Sequence, residues 1–178
     1  MYIKNKEQLY YNIVNRWLNN TSFDIYIVDS SNTGLQIIHP RLYQYKFEQY
    51  DKFVTSNPSK YEINSIFKII NHFNFEKYDM IIKITGKYFI PDFESYIKQI
   101  DSADLILQNR IDTHGQNTEL LAINYKIIHD FINQYNDKYN SFENYVYSKK
   151  HKYNTYRFKA LILDAYTKRS DGSILKYL

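Results

Sequence analysis

The chain has 178 residues, which suits one domain with a single hydrophobic core and is too short for two large ones. Its 23 Lys and Arg against 19 Asp and Glu give a formal net charge of +4, spread along the chain rather than gathered in the stripe typical of nucleic-acid-binding proteins. The absence of cysteine excludes a disulfide framework and favours a reducing, cytoplasmic compartment. No apolar run approaches membrane-spanning length, so we expect a soluble protein without a membrane span.

Hydrophobic spacing predicts the secondary structure of the first part of the chain. Apolar residues three to four apart predict a helix over residues 8–18, and SFDIYIVDSS predicts a buried strand that ends at Asp29. LQIIHP, residues 35–40, predicts a short second strand. The sequence that follows is mixed in character, and we expect only one further strand there, near residues 52–55.

Helices and strands alternate from residue 59 onward. Ser59 with Glu62 three residues later has the spacing of a capping box, which predicts the start of a helix. The later segments are a strand in YDMIIKI, a helix in PDFESYIKQI, a strand in ADLILQNR, a short extended piece and then a helix in NTELLAINYKIIHDFINQY, and a short helix in SFENYVYSKKH. This alternation predicts an α/β fold with a mainly parallel central sheet and helices on both faces. We expect residues 1–178 to form a single domain.

Polar clusters follow three of the predicted strands. Asp29 and Ser30 end the first strand, TGKY (residues 85–88) follows the second, and DTHGQNTE (residues 112–119) follows the third. Ligands bind in the crevice outside the carboxyl ends of parallel strands. Lysines beside a glycine favour an anionic group, because ammonium charges and backbone N–H groups both attract phosphate. The sequence contains no GxGxxG, P-loop, nucleophile or metal-ligand motif, so the clusters alone leave the function open.

Taken together, these segments resemble a family of nucleotide-sugar-dependent glycosyltransferases with a GT-A-type fold, found in bacterial surface-polysaccharide loci and in large DNA viruses. The resemblance runs over residues 9–124 through YYNIVNRWLNN, FDIYIVDSSN, NPSKYEINSIFKIINHF, YDMIIKITGKYF and QNTELLAIN, and KITGKY is its most specific piece. It implies transfer of a sugar from a nucleotide-diphospho-sugar donor to a glycan or other hydroxyl acceptor, in the host cytoplasm if the protein is viral. The strand that precedes the first helix in this family has no counterpart here, and neither has its Asp-x-Asp metal motif.

The resemblance implies roles for individual residues. The expected donor-binding residues are Asp29, Ser30, Lys60, Glu62, Lys83, Thr85, Gly86, Lys87 and Tyr88. Asn117 and Thr118 are expected to bind the acceptor, and Glu119 to act as the general base, with Asp112 as a second choice for the base or for metal contact. Without Asp-x-Asp, the lysines would stabilise the departing diphosphate in place of a metal. The cofactor stays unknown, with a divalent ion such as Mn²⁺ as one candidate.

Most of these residues also have a structural interpretation. Lys83 suits a snorkelling lysine at a strand end, Glu119 a carboxylate at a helix N-terminus, and Asp29 a turn. Tyr88 suits core packing, and Gly86 is expected for close backbone approach or a positive φ. The alternative function is a degenerate GT-A-like domain that binds nucleotide or glycan without catalysis. A nucleic-acid-binding module would need more concentrated charge, so nucleic acid is not an expected partner.

Overall fold

The computed structural model of the chain describes residues 2–48, 58–109, 116–136, 138–158 and 164–165. Its helices are α1 Tyr2–Asn20, α2 Pro58–His72, α3 Phe93–Lys98, α4 Tyr125–Asn133 and α5 Phe142–Lys149. Its strands are β1 Ile25–Asp29, β2 Leu42–Lys46, β3 Met80–Ile84, β4 Tyr88–Phe89, β5 Leu105–Asn109, β6 Gln116–Asn124, β7 Thr155–Phe158 and β8 Asp164–Ala165. The predicted α/β class is therefore confirmed. None of the helices in these ranges combines the length and the apolarity needed to cross a membrane.

The chain divides into two compact units. The first unit contains the described parts of residues 1–48, 85–99 and 161–178, and the second contains those of residues 49–84 and 100–160. One crossing between the units falls between Ile84 and Thr85, inside the KITGKY segment. The residues predicted to bind the donor consequently belong to both units.

The first unit is organised around helix α1. Trp17 of α1 is buried, donates a hydrogen bond from Nε1 to the main-chain oxygen of Tyr88 at 2.9 Å, and meets the Phe89 ring edge-on at 4.9 Å. The guanidinium of Arg41 donates to the main-chain oxygens of Phe23 and Leu18 at 2.6 and 2.5 Å, which satisfies carbonyls at and beyond the end of the helix. Aromatic packing and side-chain capping thus hold α1 in place.

The second strand of the first unit is not the one predicted. Residues 35–40 form no strand, and the parallel partner of β1 is β2, from Leu42 to Lys46. The side chain of Gln44 explains the difference, since it accepts from the Leu35 N–H at 2.8 Å and donates to the Leu35 oxygen at 2.9 Å. A side-chain amide therefore supplies hydrogen bonds that a neighbouring strand would otherwise provide. The strand expected near residues 52–55 lies outside the described residues.

The second unit contains a four-stranded sheet in the order β3-β6-β5-β7. Strand β6 runs antiparallel to both β3 and β5, and only β5 and β7 are parallel, so the prediction of a mainly parallel sheet is wrong. The reason lies in the connection between β5 and β6, because six residues are too few for the crossover that parallel strands need. Leu105, Leu107 and Leu121 of the two central strands are fully buried.

Helices α4 and α5 contact the central strand β6. Side chains cap both N-termini, since Asn124 accepts from the Lys126 N–H at 2.9 Å and Ser141 accepts from the Asn144 N–H at 3.2 Å. The Tyr145 hydroxyl donates to the main-chain oxygen of an α4 residue, which ties the two helices together. Helix α5 also carries Glu143, whose carboxylate accepts a hydrogen bond from the Thr118 hydroxyl of β6.

Candidate functional site

A polar network in the second unit centres on Lys83, which lies within strand β3. Its ammonium group forms an ion pair with Glu62 of α2 and donates to the main-chain oxygen of Thr118 in β6. The Thr118 hydroxyl donates in turn to Glu143 Oε1 of α5 at 3.1 Å. We call Glu62, Lys83, Thr118 and Glu143 the Lys83 network. It joins two helices and two strands through side chains that are mostly withdrawn from water.

The ion pair with Glu62 limits the functional roles open to Lys83. The side chains of Lys83 and Glu62 are only 21% and 27% exposed, so the pair is partly desolvated. Removing either partner would leave the other charge partly buried without compensation. A lysine within a strand is costly unless it is paired, and Glu62 supplies that pairing. The positive charge of Lys83 is therefore compensated within the protein. The snorkelling interpretation is wrong, because the ammonium group is held by Glu62 and the Thr118 oxygen instead of extending into water.

The capping box predicted at Ser59 and Glu62 is wrong. Helix α2 begins at Pro58, so Ser59 lies inside the helix and is not its N-cap, and its buried hydroxyl accepts from the Phe142 N–H of α5 at 2.9 Å. Glu62 pairs with Lys83 rather than with a backbone N–H. Both side chains therefore interact with residues distant in the sequence, and the spacing of Ser59 and Glu62 carries no information about such contacts.

Glu119 lies at an irregularity of strand β6. Leu107 of β5 pairs with Leu121, but the next residue, Gln108, pairs with Asn117, so three residues of β6 bulge out of the ladder there. Thr118 and Leu120 in this bulge are buried, whereas Glu119 between them is partly exposed. The interpretation of Glu119 as the start of a helix is therefore wrong. Bulges re-aim side chains and are frequent beside active sites.

Asp29 of the first unit binds its own turn. Its Oδ1 accepts from the N–H and the hydroxyl of Ser31 at 2.8 and 2.6 Å. Its Oδ2 accepts from the Gly34 N–H at 2.6 Å and from the N–H and hydroxyl of Thr33 at 3.1 and 3.2 Å. Burial works to raise the pKa of Asp29, but these hydrogen bonds outweigh it and leave the pKa below its usual value. The turn interpretation of Asp29 is confirmed, and Ser30 lies half-buried within the same turn.

Thr85–Tyr88 forms a turn in the first unit, closed by a hydrogen bond from the Tyr88 N–H to the Thr85 oxygen at 3.1 Å. Gly86 and Lys87 are exposed at the tip of this turn. Gly86 has no positive φ, so the backbone conformation does not require a glycine there. An added Cβ would lie 3.4 Å from the Tyr10 ring, which is at the edge of ordinary van der Waals contact and leaves room for a small side chain. The Tyr88 side chain is buried, as its core-packing interpretation predicts.

The remaining predicted residues have varied positions. Lys60 lines a cavity on α2, Asn117 lies in β6, and Asp112 is outside the described residues. Within the described ranges, no group of three or more His, Cys, Asp or Glu side chains could hold a metal ion. Sequence reasoning missed Glu143, whose only local signal is its place in the first turn of α5 after the Ser141 cap.

The two units carry different chemical groups. The second unit offers the compensated Lys83 network and the partly exposed carboxylate of Glu119, and the first unit offers an exposed ammonium at Lys87. Comparison of the chain with protein-family models, with curated proteins and with solved structures found no match.

Proposed function

We propose that the chain is a GT-A-like glycosyltransferase that moves a sugar from a nucleotide-diphospho-sugar to a hydroxyl group of a glycan. The resemblance of KITGKY and its neighbouring segments supports this proposal at the level of sequence. The structural observation that supports it is the bulge in β6, in which the Glu119 side chain is partly exposed between two buried neighbours.

Glu119 has the role of general base in this proposal. Its carboxylate takes the proton of the acceptor hydroxyl as the hydroxyl oxygen attacks the anomeric carbon of the donor. The bond from that carbon to the diphosphate oxygen breaks, and the nucleoside diphosphate leaves with the bonding electrons. Asp112 remains the second choice for the base.

Lys87, in the first unit, is the side chain that we propose attracts the diphosphate of the donor. Its ammonium is exposed at a turn beside a glycine, where a phosphate could approach both the side chain and the backbone. The charge of Lys83 is compensated by Glu62, so we assign this role to Lys87 alone and give Lys83 a positioning role in β3. Mn²⁺ stays a candidate cofactor, to be tested by its effect on turnover.

A binding domain without transfer is the second candidate, and two observations weaken the donor site that transfer requires. Both carboxylate oxygens of Asp29 are engaged by its own turn, which leaves that side chain poorly placed to accept from a nucleoside. Glu62, another predicted donor ligand, is engaged by Lys83. A domain of this kind would bind a nucleotide or a glycan and release no nucleoside diphosphate.

Release of nucleoside diphosphate tests the proposal directly. The chain is incubated with UDP-, GDP- and dTDP-sugars and a mixture of glycan acceptors, with and without Mn²⁺. Turnover is expected with one nucleotide class, and Glu119→Gln is expected to lower kcat by about 10²-fold or more while the donor still binds. Glu76→Gln changes an exposed glutamate in the turn before β3 and is the matched control. Donor binding without release in the wild type would favour the binding domain.

A further inference from the structure

A cavity of about 350 Å³, widely open to solvent, lies between α2 and the C-terminal end of α4, entirely within the second unit. Lys60, Ile63, Asn64 and Phe67 line its α2 side. Their spacing of three, one and three residues places them on one face of the helix. The end of α4 contributes Ile132, Asn133 and Tyr135 to the opposite side. The cavity is thus separate from the Lys83 network.

The lining combines apolar surface with neutral hydrogen-bonding groups. Ile132 is buried, whereas Phe67 on the α2 side is 45% exposed and presents its ring to solvent. Asn64 and Asn133 each carry an amide that can both donate and accept a hydrogen bond. Among the lining residues, Lys60 is the single charged side chain, and no carboxylate is present.

Tyr135 forms a wall of the cavity that other aromatic rings hold in place. Its ring meets that of Tyr145 edge-on at 5.5 Å and that of Phe142 at 6.2 Å, and it stacks on Tyr139 at 6.3 Å. Aromatic pairs of this geometry restrict the ring. A ligand that contacts Tyr135 would therefore find that side of the cavity largely formed before binding, which lowers the entropic cost of association.

The volume and the polarity of the cavity indicate which class of ligand could bind there. A volume of about 350 Å³ is at the small end of ligand sites and suits one or two rings. The single charge in the lining is the ammonium of Lys60, and the other polar side chains include neutral amides that suit hydroxyl groups. Rings with apolar faces and hydroxyl edges match the aromatic and amide lining. We propose that this cavity binds a pyranose ring of a glycan, and the choice of a sugar rests on the proposed function.

Saturation-transfer NMR with the full chain tests the assignment. The probes are the methyl pyranosides of glucose, galactose, mannose and glucuronic acid, each at millimolar concentration. We expect transfer to at least one pyranoside, with binding about tenfold weaker in Asn64→Ala and in Phe67→Ala. Asn144→Ala removes the same kind of side chain from an exposed position of α5 outside the lining and is expected to bind like the wild type.

The outcomes separate this inference from the proposed function. No transfer to any of the four probes in the folded wild type would overturn the inference, and so would transfer that persists unchanged in both cavity variants. Donor binding is measured in parallel by the stabilisation that nucleotide-sugars confer. Donor stabilisation without pyranoside transfer would refute the cavity assignment alone. Pyranoside binding that depends on Asn64 and Phe67, in a chain that no donor stabilises, would support the cavity assignment and refute the transferase.

Discussion

Replacing Lys83 by methionine removes its charge but keeps an unbranched side chain of similar length in strand β3. The substitution breaks the ion pair with Glu62 and the hydrogen bond to the Thr118 oxygen. Breaking a fully buried pair costs about 3–5 kcal/mol, and an exposed pair contributes about 0–1 kcal/mol. The two side chains are 21% and 27% exposed, so we expect Lys83→Met to lower the free energy of unfolding by about 2 kcal/mol.

A double-mutant cycle isolates the contribution of the pair. Lys83→Met, Glu62→Gln and the double variant are unfolded in urea at pH 7, and the double variant should be more stable than the sum of the single effects predicts, by about 1 kcal/mol or more. Lys98→Met is the control, because Lys98 pairs with Glu94 at 2.6 Å but is 68% exposed and should cost less than 1 kcal/mol. A coupling energy near zero would refute the structural role of Lys83. Its charge would then be available for donor binding, as the sequence predicts.

Three further predictions concern the first unit. Trp17→Phe keeps an aromatic ring but removes the donor to the Tyr88 oxygen, and should lower the free energy of unfolding in urea by about 1–2 kcal/mol; an unchanged stability would contradict the buried hydrogen bond. Gly34→Ala should cost about 1–2 kcal/mol in the same assay, because Gly34 has a φ of 72° and an added Cβ would lie 2.6 Å from Lys46 Cδ; a stabilised variant would contradict this backbone geometry. Hydrogen bonds from Lys98 and Ser22 lower the pKa of Glu94 to about 2, below the ordinary 4.5. The ionised carboxylate therefore stabilises the fold fully above pH 4.5 and progressively less as the pH falls towards 2, so wild type and Glu94→Gln should converge in urea midpoint over that range; a difference that is independent of pH would contradict the pKa shift.

The regular elements were predictable from the sequence wherever local pattern and tertiary packing agree. The helix expected over residues 8–18 is α1, the strand ending at Asp29 is β1, and YDMIIKI contains β3. The helices in PDFESYIKQI and SFENYVYSKKH and the strand in ADLILQNR are also confirmed as α3, α5 and β5. In α1, α5 and β5, apolar residues of the pattern are buried, among them Ile13, Val146 and Leu107.

The errors arise where side chains from distant parts of the chain replace local interactions. LQIIHP has the composition of a strand, but Gln44 satisfies backbone groups of Leu35, and LYQYK pairs with β1 instead. TELL was open to interpretation as a helix start, and burial of its leucines in the centre of the sheet makes it a strand. The antiparallel pairing of β5 and β6 follows from a connection between them that is too short for a parallel crossover.

The candidate site was only partly predictable for the same reason. Glu62 and Lys83 were expected to bind the donor and Thr118 the acceptor, and the structure brings the three residues together in one network of contacts. Compensation of the Lys83 charge, the link to Glu143 and the bulge at Glu119 depend on tertiary contacts and strand register. Hydrophobic periodicity carries no information about tertiary contacts or about strand register.

The central claim, a nucleotide-sugar site that uses Lys87, is tested most directly by thermal unfolding with UDP-, GDP- and dTDP-sugars, with and without Mn²⁺. A ligand at about 100 times its Kd adds about 2.7 kcal/mol of stability, which raises the Tm measurably. The account predicts stabilisation by one nucleotide class, lost in Lys87→Ala and retained in Lys126→Ala, which removes an exposed lysine of α4. Absence of stabilisation by any of these donors in the folded wild-type chain would contradict the claim.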